Sequence, residues 1–394
     1  MVEIAADRGY EEVTVRGLGR LAGISTGTFY KHFPNALHCF GHTYEWLMRS
    51  SLRRARLAWA RGADWETGVR AALLAVLDDL SRHPKAAQLV LVEVYAAGPP
   101  MQARIRKEVA AFEELLGSRR AQPADVAAPI RRGIAAGVLR VARTRLLSGQ
   151  LERLRDDADE LGDWIVSLSS QPLTELDSPA AAEIAAERQR RRQEDLHRAI
   201  RGAPGDESGR VLAAVVKLSA AGGFAYLTVP RIRAEAGVSR RHLNDRFAGT
   251  EGCFLAAIEA IAGHATKRAA LAADMADDWT AGVDAAIRSL CEEIACNPAL
   301  AHLVFVEILA PGRSGLLCRE QLVSIAAARL QLGSRSGRRP SPLVAEASSA
   351  AVWRILRSDV AARRAGATPR LAPLLLQLSL APAAVAGPAR IERH

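Results

Sequence analysis

The chain has 394 residues, too many for one ordinary domain, so we expect two to four folded units. Its 49% hydrophobic and 24% charged residues are ordinary for a soluble globular protein, and abundant alanine with only 5% aromatic residues favours packed helices over sheets. A net charge of +10 suits a polyanionic partner, although an arginine-rich, basic proteome would produce the same charge.

Several classes of protein are disfavoured by what the sequence lacks. It contains no run of about 18 uncharged apolar residues, so we expect no membrane span. Residues 1–7 lack the basic-then-apolar order of a signal peptide, which predicts a cytoplasmic protein. The five cysteines are scattered without a C-x-x-C pair, which argues against a disulfide framework or a cysteine-rich zinc site and favours buried free thiols.

The first predicted element is a helix-turn-helix head over residues 1–47. Thr14 can cap a helix that ends at Gly23, where a left-handed residue is needed. Ser25 can cap a second short helix, in which Phe29 and Phe33 are four residues apart and point inward. Two short helices joined by a glycine-containing turn of about three residues form a helix-turn-helix.

The rest of the chain is predicted to be helical as well. Residues 48–168 form a first helical body, and residues 169–207 form a linker with a charged helix. That helix would either connect the units in solvent or make auxiliary contacts to phosphate. A second head is predicted over residues 208–262, a second body over residues 263–385 and a loose tail over residues 386–394. No strand-like alternation of useful length occurs, so we expect an all-α protein of two tandem units, each a head followed by a helical-bundle body.

An internal repeat supports the two tandem units, because every matched pair of positions differs by the same amount in residue number. We call this constant difference the repeat offset. The turn Ala22-Gly23-Ile24-Ser25 recurs as Ala236-Gly237-Val238-Ser239, and Trp65, Pro84 and Glu93 recur as Trp279, Pro298 and Glu307. An equal offset over about ninety residues implies a duplicated structural unit rather than a shared short motif. Met1 falls opposite Val215, so the opening helix of the first head is expected to be shortened.

The second helix of the first head leaves a polar face outside, and this face suits DNA. Tyr30 and His32 can donate to phosphate oxygens and Lys31 adds a positive charge, contacts that set the register on the duplex. Thr26 and Thr28 can touch base edges in the major groove. Alternatively, the tyrosine and the histidine form a surface pair that packs on the head. The candidate DNA-contacting residues of this head are Ser25, Thr26, Gly27, Thr28, Tyr30, Lys31 and His32.

Residues 9–40, with A-G-I-S-T-G-T-F-Y-K-H-F at their centre, resemble the DNA-binding domain of tetracycline-repressor-type (TetR/AcrR) transcriptional regulators. The resemblance covers the head closely, and the helical body behind it fits in length and order. In that family the head binds an operator half-site, while the body binds a small effector and dimerises. The resemblance therefore implies a double-stranded DNA operator, a small-molecule effector, and pairing either as an intrachain pseudo-dimer or as a homodimer.

The second head departs from this pattern. Leu243 and Phe247 keep the inward face, but Asp245 adds a negative charge where DNA would approach, and the phenol of Tyr30 has no counterpart. Arginine can bind guanine or phosphate in bidentate fashion, so this head either contacts DNA or is a structural copy that preserves pairing. Its candidate DNA-contacting residues are Ser239, Arg240, Arg241, His242, Asn244 and Arg246.

The two bodies have mostly Leu, Val, Ala and Ile at inward positions, and a bundle lined in this way can hold an apolar ligand. Glu93 and Glu307 lie in apolar helices at matching places, where they would either contact an effector pocket or cap a buried contact. The His38 and His42 pair lacks a clear third metal ligand, and no phosphate loop, nucleophile elbow or carboxylate pair stands out. We therefore predict no enzyme, no catalytic residues, no metal and no cofactor.

Together these features favour a ligand-responsive transcriptional regulator, a repressor that a small apolar effector releases from its operator. The alternative, from another class, is a non-DNA effector-sensing or interaction module on the same helices, with one or both heads degenerate. Salt dependence distinguishes the two, because a protein that binds DNA loses affinity steeply as salt rises.

Overall fold

A computed structural model of the chain describes residues 1–117, 127–169, 186–203, 205–332 and 339–385. All secondary structure in these residues is helical, which confirms the predicted all-α class. The chain divides into two compact units: unit 1 is Met1–Pro172 with Glu346–Ala351, and unit 2 is Leu173–Ala345 with Val352–His394. The predicted tail at 386–394 and residues 170–185 of the predicted linker lie outside the described residues. None of the described helices is long and apolar enough to cross a membrane.

Unit 1 begins with three short helices, and a long helix then runs from the head into the body. Its helices are α1 (Val2–Arg8), α2 (Val15–Ala22), α3 (Thr26–His32), α4 (Ala36–Trp59), α5 (Trp65–Arg82), α6 (Pro84–Gln88), α7 (Val94–Ala96), α8 (Pro99–Leu116), α9 (Ala128–Leu147) and α10 (Asp157–Ser169). A π-helical turn at Leu89–Glu93 joins α6 to α7. Helix α4 buries Phe40, Tyr44, Met48 and Leu52 at a spacing of four residues, so one face of it forms core from the head into the body.

Unit 2 repeats this order after one additional helix. Its helices are α11 (Ala186–Arg201), α12 (Glu207–Gly222), α13 (Val229–Ala236), α14 (Arg240–Arg246), α15 (Gly249–Asp274), α16 (Trp279–Cys296), α17 (Pro298–Phe305), α18 (Arg313–Gln331), α19 (Pro342–Ala361, of which Glu346–Ala351 belong to unit 1) and α20 (Ala372–Val385). Helices α13, α14, α16 and α19 begin and end exactly one repeat offset after α2, α3, α5 and α9, respectively. The duplication predicted from short motifs therefore extends through the bodies.

The two heads differ most in their opening helix, as the sequence predicted. Helix α1 has 7 residues, whereas α12 has 16. The additional turns of α12 reach the helix-turn-helix, where Arg210 Nε donates to the carbonyl of Ala236 at 3.2 Å. The turn residue Val238 is 7% exposed, while its counterpart Ile24 is 39% exposed. The core of the second head is therefore better covered than that of the first.

Helix α11 packs on unit 2, against α12, α15 and α16. The sequence pattern favoured a solvated connecting helix here. Arg192, Leu196 and Ile200 are nevertheless buried, while the remaining arginines of the helix stay exposed. The helix is therefore amphipathic, and its inner face forms part of the packing of unit 2.

Candidate functional site

Hydrogen bonds between residues close in sequence define the helix ends and the turn of the first head (head 1, α1 to the start of α4). Thr14 Oγ1 accepts from the amide of Gly17 at 3.0 Å and caps α2. Gly23 ends α2 in the left-handed region with φ of 67°. Ser25 Oγ accepts from the amide of Thr28 at 3.0 Å and caps α3. These contacts confirm the predicted caps and the predicted glycine turn.

The outer face of α3 is exposed, as a DNA-contacting surface requires. Phe29 is buried beneath the helix, and the ring of Tyr30 stands edge-on to it with centroids 5.7 Å apart, leaving the tyrosine 58% exposed. Thr28 is half-buried, and its hydroxyl lies 3.0 Å from that of Ser25. The residues whose side chains or backbone are freely accessible on this face are Thr26, Gly27, Tyr30, Lys31 and His32.

The second head (head 2, α12 to the start of α15) has the same frame. Thr228 Oγ1 accepts from the amide of Arg231 at 3.4 Å, Gly237 ends α13 with φ of 63°, and Ser239 Oγ accepts from the amide of His242 at 3.1 Å. Leu243 is buried where head 1 has Phe29. The frame of the helix-turn-helix is therefore preserved although its surface has changed.

A sequence model of the family described as bacterial regulatory proteins, tetR family, matches the chain twice, over residues 2–37 and residues 211–257. The two matches coincide with head 1 and head 2. The chain is a TetR-family regulator with two tandem units. No curated protein matches it. As a member of this family, the tandem regulator binds DNA and regulates transcription.

The surface of head 2 in the tandem regulator is charged differently from that of head 1. Arg240, Asn244 and Arg246 of α14 are exposed. Arg241 Nε lies 3.4 Å from Asp245 Oδ2, one helical turn further on. Because both side chains of this pair are exposed, the attraction is weak, but the aspartate offsets part of the positive charge that a phosphate would meet.

His242 is placed differently from our expectation of a DNA contact. Its Nδ1 lies 2.9 Å from Glu207 Oε2, and its side chain is largely covered. Glu207 is in the first turn of α12, a part of the opening helix that has no counterpart in α1. Both residues are therefore engaged within head 2, and the histidine orients α14 against α12 instead of facing outward.

Two roles were open for Glu93, contact with an effector pocket or capping of a buried contact. It is 1% exposed, and it lies outside the lining of the cavity described below. Its Oε2 accepts from the amide of Tyr10 at 2.9 Å, and its Oε1 accepts from Gln88 Nε2 at 2.8 Å. A body residue thus binds the backbone of head 1, just after α1. This is the capping alternative rather than the pocket alternative.

Unit 2 contains the same contact. Glu307 Oε2 accepts from the amide of Phe224 at 3.1 Å, and both contacts span 83 residues of sequence. An aromatic contact accompanies each one, with Tyr10 and Phe40 centroids 4.7 Å apart and Phe224 and Phe254 centroids 5.0 Å apart. We call each of these contacts a head clamp. The equal spacing was visible in the repeat, but the pairing itself required the fold.

A cavity of about 280 Å³ lies within the body of unit 1, between α4, α5, α8 and α9. Its lining is mostly aliphatic and aromatic, and the π-helical turn contributes Val90 and Leu91. Arg143 Nε donates to the carbonyl of Leu91 at 2.8 Å, so a buried guanidinium supports this wall. Apolar walls with a few placed polar groups are typical of sites for small molecules.

Polar side chains line the cavity in two groups. Tyr44, Tyr95 and Arg143 are buried, and burial raises the pKa of Tyr44 far above its usual range. Arg54 and His83 are partly exposed, so they mark where the cavity meets solvent. Sequence reasoning did not identify these residues, because they come from separate helices and have no shared motif.

The cysteines of the tandem regulator are free, and four of the five are buried. Burial raises the pKa of Cys253 and Cys318 to about 11 and that of Cys291 to about 12. Among the described residues, no group of three or more His, Cys, Asp or Glu is arranged to hold a metal ion.

Proposed function

We propose that the tandem regulator is a repressor that binds an operator through α3 and α14 and is released by a small apolar effector. The observation that carries this proposal is the exposed outer face of α3 within a family head whose caps and turn are intact. We further propose that it acts in the cytoplasm, where an operator is accessible.

In this proposal, head 1 makes the stronger contacts to DNA. Tyr30, Lys31 and His32 contact phosphates and set the register of α3, which determines where the head lies but not which bases it prefers. Thr26 is exposed at the first turn and contacts base edges in the major groove. Gly27 lets the helix approach the duplex closely. Ser25 contributes chiefly by capping α3.

Head 2 makes fewer contacts, because two of its candidates are engaged within the head. The exposed residues Arg240, Asn244 and Arg246 remain available for phosphates and bases. Arg241 would have to leave Asp245 to reach a phosphate. We therefore propose that the two heads bind unlike half-sites, with the half-site of head 2 contributing less to affinity.

The two heads belong to one chain, so we propose that they pair within it as a pseudo-dimer on one imperfect palindrome. Half-sites bound by paired helix-turn-helix heads lie about 34–36 Å apart, one turn of DNA. Light scattering at low concentration tests this step. A stable dimer of chains would contradict intrachain pairing and favour a homodimer.

The effector part of the proposal is supported by the cavity of unit 1 and by the head clamp beside it. Val90 and Leu91 line the cavity, and Glu93 at the end of the same π-helical turn binds the backbone of head 1. π-helical turns are frequent at functional sites. A ligand that favours a different arrangement of this turn would shift the position of the head and lower DNA affinity.

The decisive experiment is selection of bound fragments from random DNA, followed by affinity measurements over a range of salt concentrations. We expect an asymmetric selected site and a steep loss of affinity as salt rises. Tyr30→Ala should weaken binding about tenfold, and Arg241→Ala should weaken it less. Arg61→Ala, which removes an exposed charge from the body, is the matched control.

Two results would contradict the proposal. One is the absence of salt-dependent DNA binding, which would favour an effector-sensing or interaction module without an operator. The other is a Tyr30→Ala variant that binds no more weakly than the Arg61→Ala control, since α3 would then not be the contacting helix.

A further inference from the structure

We propose that unit 1 alone takes up the small-molecule effector, and that helix α11 closes the equivalent region of unit 2. This inference rests on the proposed effector function and adds which of the two bodies holds the ligand. The repeat offset pairs each lining position of unit 1 with one position of unit 2.

In unit 1, the partly exposed lining of the cavity lies between α4 and α5. Arg54 Nη2 pairs with Asp79 Oδ2 at 2.6 Å, and His83 Nδ1 lies 3.1 Å from Asp79 Oδ1. The side chains of Arg54 and His83 are 49% and 62% exposed. The lining of the cavity therefore reaches solvent at these side chains, which is where we place the entry of a small molecule.

The equivalent positions in unit 2 are Arg268, Glu293 and Asn297. Asn297 is 6% exposed, whereas the side chain of its counterpart His83 is exposed to solvent. Asn297 Nδ2 donates to Glu293 Oε1 at 2.9 Å. The side chain of Glu293 is 6% exposed. Unit 2 therefore also has polar residues at these positions, but Glu293 and Asn297 are covered and bonded to each other.

Helix α11 provides this cover. Arg192 Nη1 lies 3.0 Å from Glu293 Oε2, and the same guanidinium pairs with Glu292. Gln193 Nε2 donates to the carbonyl of Cys296 at 2.7 Å, and Asp195 pairs with Arg268 at 3.4 Å. The Arg192–Glu293 pair is buried on both sides, so moving α11 away from α16 would leave a buried charge uncompensated.

A second, independent difference lies in the wall of the cavity. Leu91 and Leu139 line it in unit 1. Their counterparts in unit 2 are Phe305 and Trp353, whose rings pack with centroids 4.6 Å apart. Two leucines are thus replaced by two larger aromatic side chains in mutual contact, which leaves less space at this wall.

The test uses the full chain and N-phenyl-1-naphthylamine, a neutral apolar fluorophore, as the probe. We expect one bound probe per chain. Val76 lines the cavity and is half-buried, so Val76→Trp should fill it and weaken binding about tenfold or more. The matched variant Leu290→Trp places a tryptophan at the equivalent position of unit 2 and should leave binding unchanged. Hydrogen exchange should show protection by the probe in α4 and α5 but not in α15 and α16.

Other outcomes would contradict either this inference alone or the proposed effector function as well. Two bound probes per chain, or loss of binding in Leu290→Trp but not in Val76→Trp, would overturn the inference while leaving effector binding intact. No probe binding by a chain that still binds its selected DNA would overturn both this inference and the effector part of the proposed function. Folding of both variants is checked by thermal unfolding of the free proteins.

Discussion

The head clamp of unit 1 makes a quantitative prediction about Glu93. In Glu93→Leu, the Tyr10 amide and Gln88 Nε2 lose their acceptor. A hydrogen bond to a charged group contributes about 1.5–3 kcal/mol, and Gln88 can turn to solvent, so we expect a loss of about 2 kcal/mol at the junction of head and body. That loss corresponds to an increase of about 30-fold in the equilibrium for local opening of this segment.

Hydrogen exchange followed by mass spectrometry measures this opening directly. Exchange in residues 9–13 should accelerate about 30-fold in Glu93→Leu, because local opening controls access of water to these amides. Glu93→Gln keeps an acceptor oxygen for the Tyr10 amide, so its effect should be about fivefold. The matched variant Glu307→Leu should accelerate exchange in residues 223–227 and leave residues 9–13 unchanged.

The reasoning is refuted if Glu93→Leu exchanges no faster than the wild-type chain at residues 9–13. It is also refuted if the leucine variant accelerates exchange equally in both heads, because the effect would then be global. Glu93→Gln removes the charge but keeps one acceptor oxygen, so it separates the two contributions. If it accelerates exchange as much as Glu93→Leu does, the charge of Glu93 matters and the remaining acceptor oxygen does not.

Three further predictions follow from burial in the two units. Val238→Ala should destabilise head 2 by about 2 kcal/mol. Ile24→Ala should destabilise head 1 by about 1 kcal/mol or less, because Ile24 is already partly exposed. Chemical denaturation measures both changes. At pH 8 a thiol reagent should react with the half-buried Cys39 before it reacts with Cys291, because burial raises the pKa of Cys291 to about 12. Equal reaction rates of the two thiols in the folded chain would contradict this order. Burial lowers the pKa of His264 below its ordinary 6.5, so the unfolded chain binds a proton at this residue more readily than the folded chain does. Stability should therefore fall as the pH drops below 6.5, and His264→Gln should remove this part of the pH dependence.

The sequence by itself determined the fold and the frame of each head. The caps at Thr14 and Ser25 and the turn at Gly23 involve residues three or four positions apart, so local chemistry dictates them. The constant repeat offset then predicted the same helices and turn in head 2, and the structure contains them at the predicted positions. The difference in length between α1 and α12 was visible in the same alignment of the chain with itself.

The tertiary structure alone decided which polar side chains of the heads are exposed and which are used inside the protein. Glu93 binds a backbone amide 83 residues away, and His242 meets Glu207 only because α12 is longer than α1. The cavity collects residues from separate helices, and α11 has the composition of a solvated helix although Arg192 is buried in ion pairs. Periodicity and capping describe neighbours along the chain, whereas these contacts depend on how whole helices pack, which no local pattern encodes.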